Sequence, residues 1–571
     1  MTSRMVLNRS FAALFGALTV AFMAGCTETN TEYVDVPVER PAFNPPPDSV
    51  NGFMGYYTAS TKQTTCGNCH VSYQGQWVST KHADAYNSLV NSGAAASYCY
   101  GCHTVSGNGN SIALGPDSST AGYNAVASPA YHDVQCESCH GPGYTHVSSP
   151  STTNHPLARA GIYGLRAGVK DTTASCGGCH SGEHEPFTEQ WSQTGHADSA
   201  ANASQAANAS CQGCHEGRAA LARFNGEPSH FIEKDSIGQT TTLPPATCAV
   251  CHDPHGSPYQ GQLRRPIDSP DPTQNLCMTC HNRGTTPSGS FTNSTATTTS
   301  RGAHAAQGPI LMGEGAGYIP QGFAYDSSQA FTSHASTANP RLCAGCHVNR
   351  FTVTDSSGFV FQSVGHLFSP DPCLDPVTGI PVKDNSCAYT PSSTRNWSGC
   401  VNGGCHASAD AASSALISER AQIATLANIL WTDNNPAVNT GGEPYMDAAD
   451  AGYLPKLLFV SGNPVGTGAE ATYQAFLGTD NHVSPAEGAL FNVMMLAEDL
   501  YGHKDGSYGA HNPFYYEALL SASISALVAT YPTYLPAPPA NVQAMMDKAL
   551  SRPGVYYNRA TGQLKLSSSI R

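Results

Sequence analysis

The sequence predicts a fold of loops and short α-helices with little β-structure, followed by a small helical region at the C-terminus. Two observations lead to this prediction. Only 12% of the 571 residues are charged, and Gly, Ser, Thr, Ala, Asn and Pro dominate long stretches, so the side chains that build a large apolar core are scarce. A short cysteine and histidine motif also recurs through most of the chain, at intervals that leave little room for regular secondary structure.

The recurring motif is Cys-x-x-Cys-His, and it occurs eight times. Two thiols three positions apart can add to the two vinyl groups of one porphyrin, and the next histidine then lies under the iron as its proximal ligand. Each copy therefore predicts one covalently bound haem c, whose apolar surface replaces the missing core. The predicted attachment residues are Cys66, Cys69, Cys99, Cys102, Cys136, Cys139, Cys176, Cys179, Cys211, Cys214, Cys248, Cys251, Cys277, Cys280, Cys343 and Cys346.

A ninth, stretched copy has four residues between Cys400 and Cys405, which precedes His406. Two of the four are glycines, which allow the backbone to loop out so that both sulfurs reach one porphyrin. The alternative is a Cys400–Cys405 or mixed disulfide. We predict a ninth haem here, and hence nine haems in a multihaem region at residues 61–410. The predicted proximal ligands are His70, His103, His140, His180, His215, His252, His281, His347 and His406.

Two further cysteines fit the prediction of bound haem, and two rival chemistries for the motif do not. Cys373 and Cys387 close a fourteen-residue segment, and in an oxidising compartment we expect them to form a disulfide. Structural zinc also uses Cys-x-x-Cys and histidine, but it would employ the motifs in pairs and would not require histidine after every second cysteine. A thioredoxin-like redox motif is excluded because no βαβ pattern surrounds any copy.

The N-terminus has the form of an export signal. Two arginines precede an apolar run at residues 11–24, which is too short to span a bilayer. The tetrapeptide Met-Ala-Gly-Cys that ends at Cys26 resembles a bacterial lipobox, which implies removal of residues 1–25 and lipidation of Cys26. Thr27 resembles an outer-membrane rather than an inner-membrane address, and residues 26–60 form the linker. The alternative is an ordinary signal peptide with a stray cysteine.

The formal net charge of −14 narrows the class of partner. Nucleic-acid phosphates are bound by Lys and Arg, so this acidic chain is a poor candidate for a nucleic-acid-binding protein. Basic proteins or metal ions suit it better.

The second axial ligand of each iron is expected to be histidine. Between the first and last motifs the only methionines are Met278, inside a motif, and Met312, so methionine cannot serve generally. Bis-histidine iron has a lower reduction potential than iron bound by histidine and methionine. The predicted distal ligands are His82, His132, His146, His196, His230, His255, His304, His334, His366 and His511, whereas His155, His184, His482 and His503 are left as surface or hydrogen-bonding residues.

Two of these candidates lie in internal copies of one segment. Trp77-Val-Ser-Thr-Lys-His82-Ala-Asp and Trp191-Ser-Gln-Thr-Gly-His196-Ala-Asp each follow a motif closely. His255 lies only three residues after His252 and cannot easily fold back onto the same haem. We therefore expect it to reach a neighbouring iron.

Residues 411–571 contain no cysteine and show longer helical periods. Leu416, Ile423, Leu426 and Leu430 fall on one helical face. Ser484-Pro485-Ala486-Glu487 predicts a capping box that opens a helix running to about residue 501. Asn512-Pro513 predicts the cap of another helix, directly after His511.

The regular motifs, the Cys-Glu-Ser-Cys-His-Gly-Pro-Gly run at Cys136, the Cys-His-Asp-Pro-His-Gly run at Cys251 and the lipobox together resemble the outer-membrane multihaem c-type cytochromes of metal-reducing bacteria. The resemblance covers residues 26–406 well and the tail weakly. It implies a multihaem cytochrome c fold, with loops and short α-helices wrapped around a chain of stacked haems and a small haem-free helical C-terminal region. His-Asn-Pro before a helix recurs in such proteins and supports His511 as a ligand.

The resemblance also implies a function. Such proteins carry electrons between quinol-linked donors and extracellular acceptors such as iron or manganese oxides, with other multihaem cytochromes or an outer-membrane porin-cytochrome complex as partners. We therefore expect an exported outer-membrane lipoprotein, facing the periplasm or the cell surface, that is an electron carrier with no catalytic residues. A nitrite- or hydroxylamine-type oxidoreductase with one open iron is the alternative, and a structural component of a cell-surface assembly is a third possibility.

Overall fold

The computed structural model describes residues 51–108, 110, 120–151, 153–156, 158, 176–182, 185–198, 203–225, 243–283, 304–329, 333–354, 357–358, 360–375, 377–382, 387–390, 394–402, 405–434, 449–458, 483–496, 505–507 and 509–558. The predicted signal peptide and most of the linker, including Cys26, lie outside this part of the chain, as does His230.

Helices and loops predominate in the described residues, and this confirms the predicted shortage of β-structure. The helices are α1 Val71–Trp77, α2 Ala85–Asn91, α3 Tyr100–His103, α4 Gly122–Ala125, α5 Cys136–His140, α6 Tyr144–Ser148, α7 Phe187–Trp191, α8 Ala203–Ala207, α9 Gln212–His215, α10 Gly217–Asn225, α11 Cys248–Cys251, α12 Gln307–Met312, α13 Cys343–His347, α14 Ser398–Val401, α15 Ala409–Leu430, α16 Tyr453–Leu458, α17 Pro485–Leu496, α18 Pro513–Thr530 and α19 Ala540–Leu550.

The strands form two-stranded antiparallel sheets. They are β1 Tyr56–Thr58 with β2 Gln63–Thr64, β3 Phe323–Tyr325 with β8 Val555–Tyr557, β4 Phe351–Thr354 with β5 Val360–Ser363, and β6 Cys373–Leu374 with β7 Pro381–Val382. None of these sheets is large enough to organise a domain by itself.

The helices before α15 are short, with nine residues in the longest, and many of them contain motif residues. A buried carboxylate helps to fix the third motif. Glu137 on α5 accepts hydrogen bonds from the backbone N–H groups of Met54, Gly55 and Gly143 at 2.7–3.1 Å. These bonds join the start of the described chain to the motif without a large apolar contact.

The C-terminal helices form the main apolar cluster, which we call the C-terminal core. Ile423, Leu426 and Leu430 on α15 pack with the fully buried faces of α17 and α18. The predicted capping box is present, with Ser484 N 2.6 Å from Glu487 Oε2 and Glu487 N 3.2 Å from Ser484 Oγ. The structure describes α17 as far as Leu496, and residues 497–501 of the predicted helix lie outside the described part.

The C-terminal core also takes residues from far upstream. Ile310 and Phe323 are buried in it, and β3 pairs with β8 near the end of the described chain. Asn492 on α17 donates to Tyr318 O at 2.8 Å and accepts from Tyr318 N at 2.6 Å. The segment between the seventh and eighth motifs is therefore part of the C-terminal core, although in sequence it lies within the predicted multihaem region.

No helix in the part of the chain that the structure describes is long and apolar enough to cross a membrane.

Candidate haem centres

The motifs fold as tight turns in which the backbone N–H of the histidine lies close to the backbone carbonyl of the first cysteine. The histidine N–H lies 2.8–3.2 Å from the carbonyl of the first cysteine in the motifs that begin at Cys66, Cys176, Cys211, Cys248 and Cys277. In the stretched copy, His406 N lies 3.3 Å from Cys400 O. The stretched copy therefore has the same closure between its first cysteine and its histidine as the regular copies, and its two glycines lie outside the described residues.

Eight of the nine motif histidines lie opposite a second histidine, at ring-centre distances of 6.1–6.4 Å. An iron midway between two such rings would lie about 3 Å from each ring centre, which agrees with metal–imidazole bonds of about 2 Å. The pairs are His70–His146, His180–His82, His140–His255, His281–His196, His215–His304, His252–His366, His406–His334 and His347–His511.

Hydrogen bonds at Nδ1 fix the orientation of several of these rings. The Nδ1 atoms of His140, His252 and His347 lie 2.9, 2.5 and 2.8 Å from backbone carbonyl oxygens. A ring that donates from Nδ1 presents an unprotonated Nε2, the atom that binds iron.

Burial keeps the rings in the form that binds a metal. It lowers the pKa of His82, His196, His347 and His366 to about 4 in each case. These imidazoles are therefore neutral at pH 7, and neutral imidazole is the metal-binding form.

Two predicted residues depart from this pattern, and a third is not described. His103 has its Nδ1 3.0 Å from Ala85 O, but no second histidine lies opposite it within the described residues. His132, a predicted distal ligand, is stacked on Tyr86 with ring centres 3.4 Å apart, because a backbone bridge to Thr104 holds it there. His230 lies outside the described part. His155, left as a non-ligand, lies 6.4 Å from the ring of His146.

The paired histidines come from different parts of the chain and follow a rule. His82 and His196, from the two sequence copies, lie opposite the histidines of the fourth and seventh motifs. His255 lies opposite His140 and not the adjacent His252, as its position in the sequence predicts. A histidine that follows one motif in sequence therefore lies opposite the histidine of a different motif.

The two sequence copies are also copies in structure. The indole of Trp77 donates to Val134 O at 2.9 Å, and that of Trp191 donates to Ala246 O at 3.0 Å. Each acceptor lies two residues before the first cysteine of a motif, the third and the sixth. The motifs are therefore related by a repeat of three.

Most thiol contacts in the described residues follow the same period of three. First cysteines lie within hydrogen-bonding reach of each other in the pairs Cys66–Cys136 and Cys176–Cys248, which join the first motif to the third and the fourth to the sixth. The pair Cys277–Cys343 joins the seventh motif to the eighth and departs from this period. Second cysteines are hydrogen-bonded in the pairs Cys102–Cys179 and Cys214–Cys280. Because these sulfurs mark the attachment edges of the predicted porphyrins, neighbouring attachment sites lie side by side.

The paired histidine rings fit haem c, whose iron can be held by two imidazoles. A zinc site would bring three or four ligands to one point, and no group of three His, Cys, Asp or Glu residues that could hold a metal ion occurs in the described residues. Cys373 and Cys387 are joined by a disulfide, as predicted from the sequence.

Most of the groups that contact the paired histidine rings have no recognisable pattern in the sequence. The carbonyls that accept from Nδ1 carry no sequence signal, because any residue supplies one. Asp505, which accepts from His511, follows no motif and lies six residues before its partner. Asp253 was detectable, since it directly follows His252 and contacts His255 at 3.5 Å.

Comparison with known proteins gives two family matches. Residues 65–141 match the family described as cytochrome c554 and c-prime, and residues 245–286 match the doubled CXXCH motif. No curated protein and no solved structure gives a significant match. The first match spans three motifs and the second spans two. With the eight regular motifs, these matches indicate a multihaem c-type cytochrome, a class of protein whose function is electron transfer.

Proposed function

We propose that this protein is an exported electron carrier in which nine haems c with bis-histidine ligation form one connected series. Bound haem iron supplies one-electron transfer between its ferric and ferrous states. The polypeptide attaches the porphyrins, holds two imidazoles on each iron and fixes the spacing between attachment sites.

The eight histidine pairs are the observation that carries this proposal. An iron with two imidazoles has no free position for a substrate, so it exchanges electrons without binding one. The thiol contacts between motifs support a series of neighbouring sites, because each contact places two attachment points side by side.

We further propose an outer-membrane lipoprotein that passes electrons to extracellular metal oxides or to other multihaem cytochromes. The lipobox at Cys26 supports the anchor, and the acidic chain favours cationic partners and surfaces. A porin-cytochrome complex would be the route through the outer membrane.

One observation favours the alternative of a multihaem oxidoreductase. His103 has no second histidine opposite it in the described residues, whereas the other motif histidines do. An iron bound by His103 alone would keep an open position, as nitrite- and hydroxylamine-type catalysis requires.

Intact mass and spectroscopy of the exported protein test the proposal. We expect the mass of nine haems plus lipid, with two fewer hydrogens for the disulfide, and ferric EPR signals that are low-spin. Replacing Cys400 and Cys405 by Ala should remove one haem and leave the other low-spin signals unchanged.

The outcomes separate the candidate functions. Eight haems in the unmodified protein would remove the stretched site from the series. A high-spin ferric signal together with carbon monoxide binding by one reduced haem would favour the oxidoreductase. If that signal persists when Cys99 and Cys102 are replaced by Ala, the open iron is not at His103.

A further inference from the structure

Asp505 is a buried carboxylate that holds one axial histidine. Its Oδ1 accepts a short hydrogen bond from Nδ1 of His511, and its side chain is only 1% exposed. Its Oδ2 accepts a short hydrogen bond from the Ser507 hydroxyl. Ser507 Oγ in turn accepts from His511 N at 3.2 Å, so the three residues form one closed cluster.

This buried carboxylate distinguishes His511 from other axial histidines with a described contact at Nδ1. Those of His140, His252 and His347 lie beside neutral backbone carbonyls. Two others approach carboxylates, but these are less buried and more distant than Asp505. Glu185 is 43% exposed at 3.4 Å from His180, and Asp253 is 26% exposed at 3.5 Å from His255.

The environment increases the effect of the Asp505 charge. No lysine or arginine forms an ion pair with Asp505 in the part of the chain that the structure describes. In a buried site the carboxylate is poorly screened by water, so its interaction with a nearby cation is strong. A charge-assisted hydrogen bond of this kind also gives the imidazole partial imidazolate character.

The histidine pair that contains His511 belongs to a motif that lies close to two other motifs. His511 lies 6.1 Å from His347, the histidine of the Cys343 motif. Cys343 is hydrogen-bonded to Cys277, and Cys346 lies within electrostatic reach of Cys405 in the stretched motif. The Cys343 site thus connects the seventh motif to the stretched one.

We propose that Asp505 sets the reduction potential of the iron held between His347 and His511. By making His511 a stronger donor and placing a negative charge nearby, it stabilises ferric over ferrous iron and lowers the potential. Asp505 is a positioning and tuning residue that acts through His511. This inference rests on the proposed function, because it assumes haem at the Cys343 motif.

The test uses the full-length haem-loaded protein and two substitutions with opposite effects. Asp505→Asn keeps the shape of the side chain but removes its charge. It should raise the midpoint potential of one haem by about 59 mV, so that the ferric-to-ferrous ratio of this haem at a given potential falls about tenfold. Ser507→Ala leaves the charge and removes a donor to it, so it should lower the same midpoint. The measurement is a redox titration followed by α-band absorbance and ferric EPR.

Two further variants identify the haem and provide a control. His511→Ala should convert one low-spin ferric signal to high-spin, which identifies the haem concerned. Asp253→Asn removes a partly exposed carboxylate beside His255 that is already paired with Arg264 at 2.8 Å, so its shift should be less than half that of Asp505→Asn.

These results test the role of Asp505 separately from the electron-carrier function. A full set of low-spin haems with an unchanged midpoint in Asp505→Asn would overturn it, as would shifts of the same sign in both variants. A high-spin haem in Asp505→Asn would show that Asp505 only positions His511. If Asp505→Asn fails to fold, the downward shift in Ser507→Ala still tests the idea. Absence of low-spin haems from the unmodified protein would instead refute the electron-carrier function.

Discussion

At the scale of the residue, the protein depends on histidines that occur in pairs but come from separate segments. A proximal histidine is fixed by its own motif, whereas its partner is fixed by another loop. His82 illustrates this, since it follows the first motif yet lies 6.2 Å from the histidine of the fourth. Removing one distal histidine should therefore change a haem that is remote in sequence.

Replacing His82 by Ala should give one high-spin ferric haem without loss of covalent haem, because the thioether bonds and His180 remain. EPR spectroscopy and haem quantitation of the purified variant measure this. His132→Ala is the matched control, because His132 stacks on Tyr86 and lies opposite no motif histidine in the described residues. A high-spin signal in the control, or none in His82→Ala, would contradict the pairing.

At the scale of the element, the long helix α18 begins at a capped terminus directly after His511. The Asn512 side chain accepts from Tyr515 N at 3.1 Å and begins α18 directly after His511. A well-formed cap fixes the direction in which the chain enters the helix. The rigidity of α18 therefore extends to the His511 ring.

The contact between α15 and α18 also contains a pH-sensitive carboxylate. Burial, followed by the nearby Glu517 carboxylate, raises the pKa of Glu419 to about 7, against the opposing effects of Arg552 and Lys548. Its Oε1 is buried without a hydrogen-bond partner. The native state therefore keeps a proton on Glu419 that the unfolded chain loses near its ordinary pKa of about 4.5.

Glu419 should make the protein less stable as the pH rises from about 4.5 to about 7, because the folded state binds more protons over this interval. Glu419→Gln mimics the protonated form and should show a smaller loss of Tm between pH 5 and pH 8. Thermal unfolding at the two pH values measures the difference. Asp547→Asn, at an exposed acid on α19, should behave like the unmodified protein. Equal pH dependence in Glu419→Gln would rule out this role.

At the scale of the whole molecule, a repeat of three motifs organises the chain, and paired histidines come from different units. Most thiol contacts in the described residues recur with this period, and His82 and His255 each lie opposite a motif histidine of the neighbouring unit, in opposite directions along the chain. The C-terminal core supplies His511 to the eighth motif and takes in Phe323. The parts are therefore interdependent, and we expect no single unit to keep all its ligands when isolated.

The net charge of −14 should govern association with the proposed acceptors. Binding to positively charged ferric oxyhydroxide particles should weaken as ionic strength rises from about 0.01 M to about 0.15 M, because the screening length falls from about 30 Å to about 8 Å. Sedimentation of the particles with bound protein measures this. Negatively charged silica particles are the control and should bind little at either salt concentration. Binding that is insensitive to salt would argue against an electrostatic contact.

The sequence alone determined the local chemistry of this protein. Attachment by two cysteines and the adjacent histidine depends on residues within one turn, so spacing predicts them, and the predominance of helices and loops followed from composition. The tertiary structure decided which distal histidine lies opposite which motif, because His347 and His511, or His140 and His255, meet only after distant segments pack. It also decided that residues near Phe323 join the C-terminal core and that Asp505 holds His511, since a buried contact between such segments leaves no periodic signal in the sequence.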